Sequence, residues 1–282
     1  MKFTIETNKL KNGLESVQVK GKGTTNNGFG NTNLGAYALL EVKDNNLSIW
    51  NGNQTFFVSL TIPLEGESEE GVCCLDSANV LPYLKSFSNE ITFAVGDFIT
   101  ITSGDSKKAS IPLVVNHPQI EPLTRIKGML SHVRYEVNPN RLWTFGKGQF
   151  ETAFTLTQAQ FKSAIKTCEL VKSGIYKLDK NETITLSTRQ SITNKYEETL
   201  TPLFITNPNE GATVEFSSPL YAFFEKDQML NIYMKDEFPL LIVANDRILL
   251  KAPHIGAWII MIISKMNDGK RIYKSWRENG EK

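Results

Sequence analysis

Apolar and polar residues alternate along most of this chain, and the alternation falls into a pattern that occurs four times. Each copy is a strand, a turn rich in Asn, Asp or Gly, and further strand ending close to a proline. The first copy runs from Leu39 to Ile49 and on to Ile62-Pro63-Leu64, and the second from Phe93 to Ile101 and on to Ile111-Pro112-Leu113. The third runs from Tyr176 to Leu186 and on to Thr201-Pro202-Leu203, and the fourth from Leu240 to Leu249 and on to Ala252-Pro253-His254. Period-two alternation around such turns predicts hairpins. A proline at a strand end removes no ladder bond.

A short strand and a helical stretch precede each hairpin. Thr157-Gln158-Ala159-Gln160 has the form of a capping box, followed by Phe161, Ala164, Ile165, Cys168 and Val171 at helical spacing. Leu10, Leu14 and Val17 form a shorter stripe after Thr7-Asn8. Val80, Leu81, Leu84 and Phe87 follow candidate caps at Asp76, Ser77 and Asn79, with Pro82 expected only in a first turn. Leu220, Ala222, Phe223 and Phe224 follow Ser217-Ser218-Pro219.

The chain is therefore expected to be α+β, with a strand–helix–three-strand unit repeated four times. The units pair, since Glu70-Gly71 precedes the second helix and Glu210-Gly211 the fourth. Two homologous domains are implied, 1–115 and 150–255, with a linker at 116–149 and a tail at 256–282 that lies outside the repeat. The prolines of the linker (Asn116-His117-Pro118-Gln119-Ile120-Glu121-Pro122) predict an extended path, and His132–Val137 could add a strand.

Composition narrows the class. In 282 residues, 40% hydrophobic and 22% charged content is that of a soluble globular protein. The three cysteines, Cys73, Cys74 and Cys168, form no CxxC pair and imply neither a disulfide framework nor a zinc site; a reducing cytoplasm is expected. The longest apolar run, Ala257–Ile263, is shorter than a membrane span. The residues from Met1 to Glu6 alternate like a strand and are not a signal peptide. No enzymatic constellation stands out. Gly21-Lys22-Gly23 with Gly28 and Gly30 lacks the spacing of a phosphate loop, and His117, His132 and His254 lack metal-ligand neighbours. No G-x-S-x-G, HExxH or kinase signature occurs, so no cofactor and no catalytic residue is expected.

Several stretches resemble the DNA sliding clamps. Met1-Lys2-Phe3-Thr4-Ile5-Glu6 with Leu10 and Leu14 is similar to the start of bacterial β clamps. Tyr83-Leu84-Lys85-Ser86-Phe87 through Thr100–Ser106 is similar to the second half of a clamp domain. Tyr221–Lys226, Phe238-Pro239-Leu240 and Leu250-Lys251-Ala252-Pro253-His254-Ile255 resemble the end of proliferating-cell nuclear antigen. The resemblance covers residues 1–255; the long linker and the tail depart from it. It implies the DNA clamp fold, with sheets outside and helices lining a hole through which duplex DNA passes without sequence preference. It also implies a DNA polymerase and a clamp loader as partners. Six domains close such rings, so two per chain imply a head-to-tail homotrimer. Mixed bacterial and archaeal or eukaryotic features, with Asn-rich loops, point to a viral clamp working in the host cytoplasm.

Charge placement provides an independent check, because a DNA-facing surface should be basic. The four helical segments 7–22, 77–88, 157–173 and 217–228 carry Lys9, Lys11, Lys20, Lys22, Lys85, Lys162, Lys166, Lys172 and Lys226 against only Glu15, Glu169, Glu225 and Asp227. The rest of a chain of net charge +1 is correspondingly acidic. All nine cations are lysines, point charges suited to phosphates rather than to base reading. Ordinary solubility is the competing explanation for lysines on exposed helix faces.

By position, the resemblance implies a peptide-docking pocket for partners at Ile120, Pro122, Leu123, Pro253, His254 and Ile255; ordinary linker and strand-end packing is the alternative. The apolar tail segment is expected to pack on the protein or at a subunit contact, with occupation of the peptide pocket or binding of a partner as the alternative. Two rivals stay open: a monomeric viral processivity factor of the same fold, and a β-rich structural or assembly protein.

Overall fold

A computed structural model describes residues 1–18, 37–53, 55–104, 107–115, 120–135, 142–217 and 220–254. The first unit is β1 (Lys2–Glu6), α1 (Thr7–Val17), β2 (Tyr37–Lys43), β3 (Asn46–Gly52) and β4 (Phe56–Pro63). The second is β5 (Gly71–Asp76), α2 (Ser77–Leu84), β6 (Glu90–Val95), β7 (Phe98–Ser103) and β8 (Lys108–Pro112). Between the second and third units lie α3 (Ile120–Leu130), β9 (Val133–Tyr135), β10 (Trp143–Phe145) and β11 (Gly148–Gln149). The third unit is β12 (Thr152–Thr157), α4 (Gln158–Glu169), β13 (Ile175–Lys180), β14 (Ile184–Arg189) and β15 (Lys195–Leu200), followed by the short β16 (Phe204–Thr206). The fourth is β17 (Ala212–Ser217), the 3-10 helix η1 (Leu220–Phe223), β18 (Met229–Met234), β19 (Leu240–Val243) and β20 (Arg247–Lys251).

The units exchange their first strands. β1 pairs with β6 of the second unit, and β5 pairs with β2 of the first. Likewise β12 pairs with β18, and β17 with β13. Two four-stranded sheets result, β1-β6-β7-β8 and β15-β14-β13-β17. Nine more strands fuse into one sheet, β16-β12-β18-β19-β20-β4-β3-β2-β5, and β11-β10-β9 form a separate three-stranded sheet. Its seam is the antiparallel pair β4–β20, in register from Arg247↔Leu60 to Lys251↔Phe56.

Local chemistry explains the elements. Asp44 and Asn45 adopt φ of 49° and 56°, the left-handed conformation that a tight hairpin turn requires and these residue types tolerate. Pro63 and Pro112 end β4 and β8, as expected. The Thr157 hydroxyl accepts from the Gln160 amide at 3.1 Å while the Gln160 side chain accepts from the Thr157 amide at 2.9 Å, so the capping box forms. Asp76 caps α2 by accepting from the Ala78 amide at 2.9 Å.

Three expectations are corrected. The linker is not simply extended: Pro122 occupies the first turn of α3, where its missing N–H costs nothing. Pro82 lies in the last turn of α2 rather than the first, in a helix that ends two residues later. α1 itself has no side-chain cap, and the Thr7 hydroxyl donates to the Asn89 carbonyl at 2.6 Å. The fourth helix is a single 3-10 turn because side chains capture the carbonyls an α-helix would use. Arg247 donates to the Phe223 carbonyl, and Gln158 to those of Tyr221 and Phe224.

The larger core lies between helices and sheets and draws Leu10, Leu14, Val80, Phe161, Ile165 and Leu220 together. A second core covers the other face of the nine-stranded sheet. There α3 and β9–β11 bring Leu123, Ile126, Met129, Phe145 and Phe150 onto Leu39, Trp50, Phe57, Leu241 and Leu250. The strand expected near 132–137 is β9. No helix among the described residues is long and apolar enough to cross a membrane.

Candidate nucleic-acid interface

Each helix begins where a first strand ends, so strand exchange places the four helices side by side. α2 touches α1, α1 touches η1, and η1 touches α4. The row α2–α1–η1–α4 thus lies on the side of the nine-stranded sheet opposite the second core. Apolar residues of each helix point into the main core, which leaves the polar residues facing outward.

Of the nine lysines, Lys20 and Lys22 lie outside the described residues, as do Gly21, Gly23, Gly28, Gly30 and His117. The other seven are distributed unevenly. Lys162 and Lys166 stand one turn apart on α4, clear of its buried stripe. The Lys162 ammonium lies 5.9 Å from the ring centroid of Tyr221, so it leans toward η1 and holds a defined position. Lys85, past the end of α2, lies 4.0 Å from Glu15 on α1 and is 63% exposed, leaving its charge available to a second partner. Lys11 donates to Asn8 within its own helix at 3.0 Å. Lys9 turns toward the sheet rim, where it pairs with Glu65 at 3.1 Å, and contributes less to the row. Lys172 is exposed in a left-handed turn (φ 57°) after α4, and Lys226 is exposed after η1. The acidic Glu225 beside Lys226 is drawn to Arg247 at 3.3 Å.

Two residues to which the sequence assigned no part in this face organise it. Gln158, the first residue of α4, donates to both the Tyr221 and Phe224 carbonyls and so fastens α4 to η1. Tyr221 presents its ring to Lys162, and burial together with the Glu169 charge raises its phenol above the ordinary range. A polar residue directly after the Thr157 cap was the available signal for Gln158.

The described members of the expected partner-binding set fall on two elements, the start of α3 and the stretch after β20. Leu123 is wholly buried beneath α3, while Ile120 and Pro122 sit half-buried at its start. Pro253 and His254 follow β20, where the His254 amide donates to the Glu215 carbonyl at 2.8 Å; Ile255 and the tail 256–282 lie outside the described residues. Three groups are buried and chemically quiet. Burial pushes the thiols of Cys73, Cys74 and Cys168 up to about 12, 11 and 11.

No protein-family model matches the chain, and no curated protein matches it by sequence. Solved structures do match. The DNA polymerase III beta chain of Streptococcus pneumoniae superposes with a TM-score of 0.66 at 14% identity, over 91% of this chain and 65% of that one. PCNA of A. fulgidus, solved with the C-terminal region of FEN-1 bound, gives 0.63 at 15% identity, over 91% and 99%. The chain has the fold of the DNA sliding clamps. PCNA of Thermococcus kodakaraensis gives 0.62 at 12% identity, over 90% of this chain and 99% of that one. The clamp fold here spans 65% of the length of the S. pneumoniae chain and nearly all of either PCNA.

Proposed function

We propose that this chain is a DNA sliding clamp, a non-enzymatic processivity factor that encircles duplex DNA and tethers a DNA polymerase to it in the cytoplasm. The observation that carries the reading is the unbroken row α2–α1–η1–α4 with lysines on the face turned away from the sheets. Lysines hold phosphates without reading bases, which suits a protein that must move along DNA. Residues 1–115 and 150–255 act as two equivalent domains of two units each, joined by 116–149. Three chains with six such domains close the ring head to tail. A clamp loader opens it, and partners dock on it, as the C-terminal region of FEN-1 is bound to A. fulgidus PCNA. The candidate docking residues are Ile120, Pro122, Pro253, His254 and Ile255 beside the buried Leu123.

The test has two parts. Light scattering should give three times the chain mass of 31.7 kDa. The double reversal Lys162→Glu with Lys166→Glu should weaken processive synthesis without unfolding the protein. DNA affinity of the unaltered chain should fall with salt at a log–log slope of about −0.9 per phosphate neutralised. A strict monomer at tens of micromolar would favour the monomeric processivity factor. Processivity untouched by the double reversal would remove these lysines from the DNA path.

A further inference from the structure

The hairpins that close the four units, β3–β4, β7–β8, β14–β15 and β19–β20, share one place in the repeat but use their tips differently. Three tips are turned back into the chain. Asn53 accepts from the Thr55 and Phe56 amides at 2.7 and 3.1 Å, Lys107 donates to the Ser86 carbonyl at 3.0 Å, and Asp246 accepts from Gln228 at 2.6 Å. The β14–β15 tip is ordered by bonds of its own. The Gln190 amide donates to the Asn194 carbonyl at 3.0 Å, and the Asn194 backbone amide to the Ser191 hydroxyl at 3.0 Å. The side chain of Asn194 donates to that of Gln190 at 2.8 Å. At the base of the tip the Thr188 hydroxyl donates to the Ile175 carbonyl at 2.6 Å. This closed frame holds Ile192 at its apex, 88% exposed. A lone exposed isoleucine is ordinary on a surface, but its neighbours are not. Arg189 and Lys195 face each other across the ladder, both exposed and on the same face of the sheet. Neither makes an ion pair with another described residue. Like charges directly opposite each other in an antiparallel pair are unfavourable. Glu197, the first acid along β15, stands opposite Ser187 instead.

We propose that the 189–195 tip is a second docking element of this chain, an aliphatic anchor between two cations, and that its partner is a protein surface with carboxylates around a small apolar pocket. The inference rests on the clamp reading above, which supplies the probe: the DNA polymerase that the chain tethers. The tip shares no element with the residues expected to receive partner peptides, which stand at the start of α3 and after β20. Both cations point away from the helix row, because the residues beside them, Thr188 and Tyr196, are turned to the main core. Duplex DNA against the helices is therefore not the anion they meet. The two cations repel each other until an anion comes between them, so a partner carboxylate relieves a cost already present in the free chain. Ile192 offers no flat ring on which a base could stack, whereas an aliphatic side chain entering a pocket removes apolar area from water. The hydrogen-bonded frame fixes the tip before contact, so little freedom is lost when a partner closes on it.

Binding of the full-length chain to the DNA polymerase of the same source, followed by surface plasmon resonance without DNA, tests the assignment. Ile192→Asp should weaken that binding about tenfold or more, while Ile192→Val should leave it within about twofold. Arg189→Glu with Lys195→Glu should also weaken it about tenfold and flatten its salt dependence. Every variant should keep the mass, melting temperature and DNA affinity of the unaltered chain, because the tip is exposed and outside the helix row. If either Ile192→Asp or the double reversal leaves polymerase binding unchanged, the anchor between cations is overturned and the clamp reading stands. A double reversal that lowers DNA affinity in place of polymerase binding overturns it too, since the cations then serve nucleic acid. If the unaltered chain neither binds the polymerase nor lengthens its synthesis, the clamp reading itself has failed, and the docking element falls with it.

Discussion

Helix α3 should detach from the sheet when its apolar grip is weakened, and Leu123 is the residue to weaken. Leu123 is 0% exposed, at the centre of a core that also contains Leu39, Trp50, Phe57 and Ile126. Truncating a buried leucine to alanine costs about 2–5 kcal/mol, transfer and cavity together. The polar attachment of α3 is smaller: the Lys127 ammonium lies 2.7 Å from Glu41 and 5.1 Å from the Trp50 ring centroid. With both partners partly exposed, Lys127→Met should cost only about 1 kcal/mol. The exposed Arg125–Glu121 pair should be worth a few tenths. Hydrogen exchange reads the difference locally. Leu123→Ala should speed exchange of the α3 amides roughly 30-fold or more, since 1.4 kcal/mol is about tenfold. Lys127→Met should speed it about fivefold, and Arg125→Ala hardly at all. Amides of β3, fixed between β2 and β4, should change least. If Lys127→Met loosens α3 more than Leu123→Ala does, the ion pair holds the helix and the apolar argument is wrong.

Other outcomes follow from buried groups. Lys251 is 1% exposed, and burial lowers its ammonium from 10.5 to about 8. Below pH 8 both folded and unfolded chains are protonated and folding bears the full cost, about 3 kcal/mol by order of magnitude. Between about 8 and 10.5 the unfolded chain keeps a proton the folded chain has shed, so stability rises with pH through that window. Lys251→Met should stabilise the protein at pH 7 and flatten the rise; urea midpoints at pH 7 and 10 that move in parallel for both proteins would refute this. The thiols of Cys73, Cys74 and Cys168 should resist an aromatic disulfide reagent until the chain unfolds, because all three are buried and shifted upward. Prompt release of chromophore from native protein would contradict it.

The features visible in sequence were those written locally. Asp44-Asn45 announces a hairpin, Thr157 and Gln160 announce the start of α4, and the repeated Ile-Pro-Leu marks two strand ends. α3 carried a readable stripe at Leu123, Ile126, Met129 and Leu130, but Pro118 and Pro122 drew attention to an extended path. A proline in a first turn says little against a helix. η1 is shorter than the local sequence predicts because its length is set by Arg247 and Gln158, which reach its carbonyls from 24 and 63 or more residues away. The lysine row was legible as a bias, while its unevenness was not. Lys9 is diverted by Glu65 and Lys85 approaches Glu15, pairs made by the fold rather than by spacing. Strand exchange and the β4–β20 seam join segments far apart in sequence, and no local pattern encodes them.

Strand exchange explains why the connecting segment folds where it does. A lone unit cannot complete its own sheet, because its first strand belongs to its neighbour, as β1 belongs with β6 and β5 with β2. Two neighbouring units together satisfy those pairings but leave both of their last strands open. A detached 1–115 segment would expose β4 and β8 as free edges, and would also expose Leu39, Trp50 and Phe57 on the outer face of its sheet. The β4–β20 seam removes one of those edges. The apolar face that runs across the seam through Phe57, Leu250 and Leu241 still needs a cover. The segment between the halves is tethered to both sides of that face, so placing α3 and Phe145 there requires only a short loop closure. Gly52 shows how closely the cover fits: a Cβ there would meet the Phe56 carbonyl at 2.6 Å and the Ile126 side chain at 3.2 Å. The seam inside the chain is thus paired on its edge and roofed on its face.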